Sequence, residues 1–305
     1  METFRVHVLG CGSARPSMRH YASAQVVELR GKMFLVDCGE GTQMQLMRAR
    51  INFNKVKAVF ISHLHGDHCF GLFGLISSFG LLGRKAPLVV AAPAQFEQLF
   101  WQNMSTFCSG LDYEVEFRPL DTTQAAVAYD DRTLSVITIP LAHRLPCCGF
   151  LFREKPTLPH IRRDMIDCYG IPHSQINNIK MGADWVTPEG DRVPNGQLVT
   201  PAHPPRSYAY CSDTKYIPTL HQLVKGVSLL YHESTYDRQF EALAEKYFHS
   251  TAAQAATVAR DAGAHRLMLG HYSSRYNDEQ VLLDEAQTIF ANAILAQEGL
   301  VVDVE

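Results

Sequence analysis

Short apolar runs in this chain repeatedly end in a residue able to bind a cation. Val56 to Ile61 leads to His63, Thr133 to Ile139 to His143, and Ser207 to Cys211 to Asp213. Val227 to Tyr231 leads to His232-Glu233, and Arg266 to Leu269 to His271. Runs of this length, bounded by turn residues, suit buried strands. Strands that alternate with helical segments and aim polar residues at one rim argue for an α/β layered fold with a single site. The densest case is Phe60-Ile61-Ser62-His63-Leu64-His65-Gly66-Asp67-His68. Imidazole and carboxylate suit a borderline cation such as zinc. His63, His65 and Asp67 stand two apart, which fits an extended loop better than a helix. Asp67 and His68 are adjacent, so their side chains diverge, and one cluster feeding two metals is more natural than one cage. The bland alternative is a polar loop with chance histidines.

The chain of 305 residues is long enough for one large domain or two small ones. With 46% apolar and 19% charged residues it can bury a sizeable core, which excludes global disorder. The net charge of -3 gives no overall nucleic-acid signal, so a polyanion must be met by a local basic patch. The start, Met-Glu-Thr-Phe-Arg-Val-His, lacks a signal-peptide core, and the apolar runs are of strand length, so no membrane span is expected. None of the eight cysteines forms a Cys-x-x-Cys pair. A reducing, cytoplasmic setting with buried free thiols follows. Cys147-Cys148 is either a redox pair or two buried strand residues.

Along the chain, Phe4 to Leu9 reads as a first strand and Gly10-Cys11-Gly12-Ser13 as a turn, with Gly-x-Gly a weak phosphate signal. Arg15, Arg19 and His20 are either solvated or a small anion contact. Gln25 to Leu29 and Lys32 to Val36 read as a hairpin. Asp37 then either braces a turn or orients a liganding histidine. Thr42 is read as the N-cap of a helix to Arg50, and Cys69 to Ile76 as a helix. Leu88 to Ala92 is a strand and Ala94 to Phe107 a helix, with Phe96, Phe100, Trp101 and Phe107 expected in the core. Tyr113 to Phe117 and Cys148 to Phe152 are strands. Residues 156–206 hold eight of the fifteen prolines and lack strong periodicity, which reads as an insertion or projecting arm with nearly balanced charge. His249-Ser250-Thr251 precedes an Ala-rich helix that Gly263 stops. A last helix spans about Asp278 to Phe290.

These residues resemble a known family. His63-Leu64-His65-Gly66-Asp67-His68 with His143, Asp213 and His271 is similar to the metallo-β-lactamase superfamily. Asp37-Cys38-Gly39-Glu40-Gly41-Thr42-Gln43, the His-Glu-Ser-Thr at 232–235, His249-Ser250-Thr251, Ser274-Arg275-Tyr276 and the long insertion after His143 together resemble its ribonuclease Z branch, from Val6 to about Tyr276. The resemblance implies a four-layer αββα sandwich forming one domain over 1–305, with an inserted flexible arm at about 156–206. It implies two zinc ions per chain, with manganese as an alternative. One is bound by His63, His65 and His143, the other by Asp67, His68 and His271, and Asp213 bridges both. It further implies a homodimer whose arm grips precursor tRNA. Two departures concern tRNA grip rather than chemistry. Gly170-Ile171-Pro172-His173-Ser174-Gln175 lacks the Gly-Pro-rich arm tip of many bacterial relatives, and Arg19-His20 replaces an Arg-Asn pair.

The expected reaction is hydrolysis of the phosphodiester joining the 3′ trailer to tRNA, leaving a 3′-hydroxyl on the tRNA. Two metals can activate water and neutralise phosphate charge. Asp67 would accept the water's proton. His249 would donate to the leaving 3′ oxygen, Glu233 would fix its tautomer and raise its pKa, and Arg275 would neutralise a phosphate oxygen. Each has a plainer reading: His249 as a helix cap, Glu233 as a structural carboxylate, Arg275 as a surface ion pair. His232, beside Glu233, is read as a packed residue or a support behind the ligands rather than a catalytic one. His20 carries no assigned role. The alternative enzyme is a hydrolase of small phosphodiesters or thioesters, which would need no arm. The alternative from another class is a silent RNA-binding subunit, which the complete ligand set disfavours.

Overall fold

The computed structural model describes residues 2–305. It divides into two compact units, one formed by residues up to Arg153 together with Arg206–Glu305, the other by Glu154–Pro205. The large unit opens with β1 (Phe4–Gly10), β2 (Ala24–Leu29), β3 (Lys32–Val36), β4 (Val56–Phe60), β5 (Leu88–Pro93) and β6 (Val115–Leu120). It continues with β7 (Val127–Asp130), β8 (Leu134–Pro140) and β9 (Cys148–Glu154). The small unit carries four two-residue strands, β10 (His160–Ile161), β11 (Trp185–Val186), β12 (Arg192–Val193) and β13 (Val199–Thr200). The chain returns through β14 (Ser207–Cys211), β15 (Leu229–Glu233), β16 (Arg266–Gly270), β17 (Ala293–Leu295) and β18 (Val301–Asp303).

Two seven-stranded sheets result, ordered β18-β1-β2-β3-β4-β5-β6 and β17-β16-β15-β14-β9-β8-β7. The period-2 alternation of side chains explains how each sheet faces two ways. In β3, Phe34 and Val36 join the core between the sheets, while Leu35 packs with the helices on the other side. Phe60 is enclosed between the sheets by Phe150 and Phe152, with ring centroids 5.3 and 5.6 Å away. Helices Thr42–Arg48, Leu72–Leu81 and Glu97–Phe107 cover the first sheet through Leu46, Leu75, Ile76, Phe79 and Phe100. Helices Ala252–Ala262 and Gln280–Gln287 cover the second. The layers are therefore helix, sheet, sheet, helix. Strand β5 is buried throughout, which is why it reads as an unbroken apolar run; β15 is equally buried, and its apolar run ends in the buried pair His232-Glu233.

The small unit has its own core of Ile171, Ile179, Val193 and Leu198, with β10 paired to β13 and β11 to β12. Among the described residues no helix is long and apolar enough to cross a membrane.

Several local expectations change. Thr42 is the first helical residue rather than the cap: Gly41 takes the cap with φ +86°, and the Thr42 hydroxyl donates to Gly39 O at 2.7 Å. The extended loop expected through Asp67 turns helical at Gly66–Cys69, and the helix expected at Cys69 to Ile76 starts at Leu72 and runs to Leu81. Trp101 and Phe107 are exposed, 43% and 67%, because they lie on the outer face of their helix. Strands β7, β17 and β18 were not anticipated; each is short and lies at a sheet edge. All eight cysteines are free; seven are buried, as expected, but Cys168 is exposed.

Candidate metal centre

Strands β3 to β6 run parallel to one another, as do β14 to β17. Parallel strands bring their carboxyl ends to one rim, where such folds bind ligands. Asp37, Asp213 and His271 each lie just past such a strand, and each has φ +58°. Left-handed backbone at a non-glycine residue costs of order 1–3 kcal/mol and occurs where surrounding structure enforces it. Here it turns the side chain out of the strand's alternation and into the rim. The turn around Asp37 also packs tightly on the histidine cluster: a Cβ at Gly39 would stand 2.3 Å from Asp67 O and 2.5 Å from Ala22 Cβ, so only glycine fits.

The structure gathers all seven of the expected ligand side chains. His63 Nε2 and His143 Nε2 lie 3.0 and 3.2 Å from His65 Nδ1. Both also approach Asp213 Oδ1, at 3.8 and 3.9 Å. A second group forms around the other oxygen of Asp213: His68 Nε2 and His271 Nε2 lie 3.0 and 3.1 Å from Asp213 Oδ2. These nitrogens stand 3.5 and 3.8 Å from Asp67 Oδ2. Donors about 2.0–2.1 Å from a tetrahedral ion stand about 3.3 Å apart, so both groups have suitable dimensions. His68 Nε2 and His271 Nε2 are buried without hydrogen-bond partners. A buried polar atom left alone is costly, and a cation is the partner that would satisfy it. The donor sets therefore fit divalent metal.

The opposite ring nitrogens are held from behind. The Nδ1–H groups of His63, His68, His143 and His271 donate to Ser62 Oγ (3.0 Å), Asp37 Oδ2 (2.7 Å), Phe248 O (3.2 Å) and Thr235 Oγ1 (3.0 Å). Each bond selects the tautomer whose Nε2 lone pair faces the site. Asp37 also accepts from the Ser62 hydroxyl (2.9 Å), the Ser62 amide (2.8 Å) and the Tyr210 hydroxyl (2.8 Å). Of its two readings, the one that orients a histidine is the one the structure supports. The roles of Ser62, Thr235 and Tyr210 were not read from the sequence. Ser62 and Thr235 lie within quoted motifs, but no local signal marks Tyr210 or the Phe248 carbonyl.

Electrostatics separate the groups. Burial pulls the His63, His65 and His143 pKa values down, leaving them neutral and able to coordinate. Burial opposes charge on His68 too, but Asp213, Asp37 and Asp67 outweigh it and raise its pKa. Burial would raise the Asp67 pKa, yet His68 and His271 hold it well below the usual carboxylate range.

Behind the metal-binding donors lies a second network. Fully buried Glu233 accepts from His249 Nδ1–H at 3.0 Å, Thr214 N–H at 2.6 Å and Ser250 N–H at 3.0 Å. His249 Nε2 is left for the cavity that His249 lines. Burial lowers the His249 pKa, but Glu233 more than offsets it and the value is pushed up to about 9. Thr251, not His249, caps the following helix, in a capping box with Gln254. Arg275 is exposed at the cavity; its guanidinium lies 4.9 and 4.2 Å from the ring centres of Tyr236 and Phe240 rather than in an ion pair. His232 is buried, with Nδ1–H donating to Glu233 O at 2.8 Å, as a packed residue. The open cavity over the centre measures about 1250 Å³.

Comparison with known proteins places this architecture. The chain is similar to the metallo-β-lactamase fold protein YhfI from Bacillus subtilis, with 18% identity, 98% of this chain and 99% of that one covered, and a TM-score of 0.68. It is similar to human tRNase Z, short form, with 26% identity, 99% of each chain covered and a TM-score of 0.70. Residues 4–154 match the family described as anti-Pycsar protein Apyc1. The fold is thus that of the metallo-β-lactamases, with a centre built for divalent metal. Over 304 residues and 100% of both chains, the sequence is 52% identical to ribonuclease Z of Bacteroides fragilis (strain YCH46). The chain belongs to the ribonuclease Z family.

Proposed function

We propose that this protein is an endoribonuclease that removes the 3′ trailer from precursor tRNA. The observation that carries the reading is the pairing, through Asp213, of the His63, His65 and His143 group with the Asp67, His68 and His271 group, beside a Glu233-held histidine at the same cavity. The relatives named ribonuclease Z and tRNase Z supply the substrate class. In this reading His63, His65, His143 and Asp213 hold one divalent ion, and Asp67, His68, His271 and Asp213 the other, with zinc or manganese as occupant. Bound there, the ions would polarise the scissile phosphate and activate a water. Asp67, kept ionised by its histidines, accepts that water's proton. His249, protonated at neutral pH, donates from Nε2 to the leaving 3′ oxygen. Glu233 holds His249 in that orientation, and Arg275, steadied on two aromatic rings, meets a phosphate oxygen.

The unit Glu154–Pro205 serves in this proposal as the arm that grips the tRNA body. Of its cations, Arg162 and Arg192 are paired with Asp164 and Asp184, so grip rests on shape as well as charge. We further propose a homodimer in the cytoplasm. Helices Thr42–Arg48, Leu72–Leu81 and Glu97–Phe107 expose Met44, Met47, Leu81, Trp101 and Phe107, an apolar surface a second copy would cover. The deciding experiment is incubation of metal-loaded protein with precursor tRNA and mapping of the cut. Uncut precursor alongside turnover of a small diester would replace this reading with that of a small-molecule hydrolase.

A further inference from the structure

The segment from Gly12 to His20 forms part of the cavity wall. Its Ala14 amide donates to Asp67 Oδ2 at 2.9 Å. Ala14 has φ +40°, and the Arg15 amide closes a tight turn on Ser13 O at 2.6 Å, so the aim of the Ala14 amide depends on how the loop is anchored. One anchor is Ser13 N–H on Tyr272 O at 3.0 Å. The other is His20. Its Nδ1 lies 3.0 Å from Glu298 Oε2 and its Nε2 3.2 Å from Glu279 Oε1. Ionised carboxylates only accept hydrogen bonds, so satisfying both requires hydrogen on both ring nitrogens, the imidazolium form. Arg19 extends the clamp, donating to Glu279 Oε2 at 2.7 Å and to Tyr276 O at 2.6 Å. Glu298 Oε1 accepts from the Tyr21 amide at 2.8 Å. The groups facing the ring are thus Glu279, Glu298, Arg19 through Glu279, Cys11 Sγ at 3.5 Å and the Tyr272 ring at 5.4 Å.

We infer that His20 is a positioning residue: held as a cation between Glu279 and Glu298, it locks the loop that aims the Ala14 amide at Asp67. The inference rests on the proposed role of Asp67. Cys11, His20 and Glu298 also lie close enough to share a cation. Their atoms are already engaged, however: Cys11 S–H with Ala296 O at 3.6 Å, His20 Nδ1 with Glu298, and Glu298 Oε1 with an amide. The hydrogen bond to Glu298 outweighs the cost of burial and raises the His20 pKa.

The test compares full-length, metal-loaded wild type with His20→Gln and His20→Arg on precursor tRNA. Glutamine is neutral and carries its donors on one nitrogen, so it cannot place an N–H at both ring-nitrogen positions; arginine is permanently charged and can. At about pH 6.5, His20→Gln is expected to lower kcat about tenfold with KM nearly unchanged. Ionisations common to both proteins cancel in the ratio of their kcat values. That ratio should therefore shrink toward one as pH rises and wild-type His20 loses its proton, while His20→Arg restores kcat. Ring-nitrogen NMR at neutral pH should show a doubly protonated imidazole, distinct from that of His249, that His20→Gln removes. If His20→Gln does not fold, Glu298→Gln should give the same pH-dependent loss. A pH-independent ratio, unchanged kcat or a neutral His20 ring overturns the inference. Loss of one bound ion per chain in His20→Gln overturns it in favour of a metal site. Wild type that leaves precursor uncut at every pH overturns the proposed function instead, and the NMR result then judges the clamp alone.

Discussion

Asp37 accepts hydrogen bonds from His68, Ser62 and Tyr210 while wholly buried, so its charge acts on the centre through the histidine it holds. Asp37→Asn replaces one acceptor oxygen by a donor facing other donors. The affinity of the Asp67, His68 and His271 group for zinc should then fall about 10–100-fold, read by competition with a chelator. Unchanged affinity would mean His68 is oriented without Asp37. His249 gives a second test. Its pKa of about 9 means it carries the proton to be donated below that pH, so kcat should decline as pH rises through about 9. Glu233→Gln removes the main group raising that pKa, so the decline should move to lower pH. His249→Ala should reduce kcat about 10²–10⁴-fold with two ions still bound. Because His249 also lies near Asp213 and His271, a lost ion would reassign it as a ligand. The candidate ligands were legible because four of them crowd into six residues and the others recur at strand ends. Of their supports, Asp37 was legible at its strand end, but others were not: Tyr210 is 173 residues from Asp37, and the Phe248 carbonyl 105 from His143, distances over which sequence carries no local signal.

Among the elements, the β7–β8 hairpin shows how one carboxylate can fix a turn. Asp131 accepts from the Thr133 amide and hydroxyl, the Leu134 amide and Lys32 Nζ, the last at 2.6 Å. Burial works against its ionisation, yet these donors hold its pKa well below the usual carboxylate range. A depressed pKa means the stabilisation is present above the unfolded value of about 3.9 and is lost as pH falls below it. Asp131→Asn should cost about 1–2 kcal/mol at pH 7, allowing for solvent screening, with the gap closing below about pH 4. Urea unfolding at the two pH values checks this; an equal gap at both would show that ionisation of Asp131 is not the source. Strands such as β14, predicted residue for residue, were legible because both faces are buried and the run is unbroken. The edge strands β7, β17 and β18 have three or four residues each, too few for a period to show. Thr42 looked like a cap because its side chain can serve as one, whereas the left-handed Gly41 before it made that unnecessary.

For the whole molecule, the unit Glu154–Pro205 offers the sharpest division of roles. Replacing residues 156–205 by a short linker should lower kcat/KM for precursor tRNA by about tenfold or more while sparing a small diester, because remote contacts contribute only to a substrate large enough to reach them. Equal loss on both substrates would mean the unit supports the fold rather than the grip. Met47→Asp on the exposed apolar helices should shift sedimentation toward monomer; an unchanged profile would place any dimer contact elsewhere. The unit was visible as a proline-rich break in pattern, but its small core was not, since four buried residues spread over 28 positions make no periodic stretch. Cys168 lies in this unit and is the one exposed thiol, the other seven being enclosed. A thiol-reactive fluorophore or spin probe should therefore attach at that position alone, with no cysteine removed elsewhere. The native sequence thus carries a reporter on the element proposed to meet the RNA, and its signal can be followed during a single turnover.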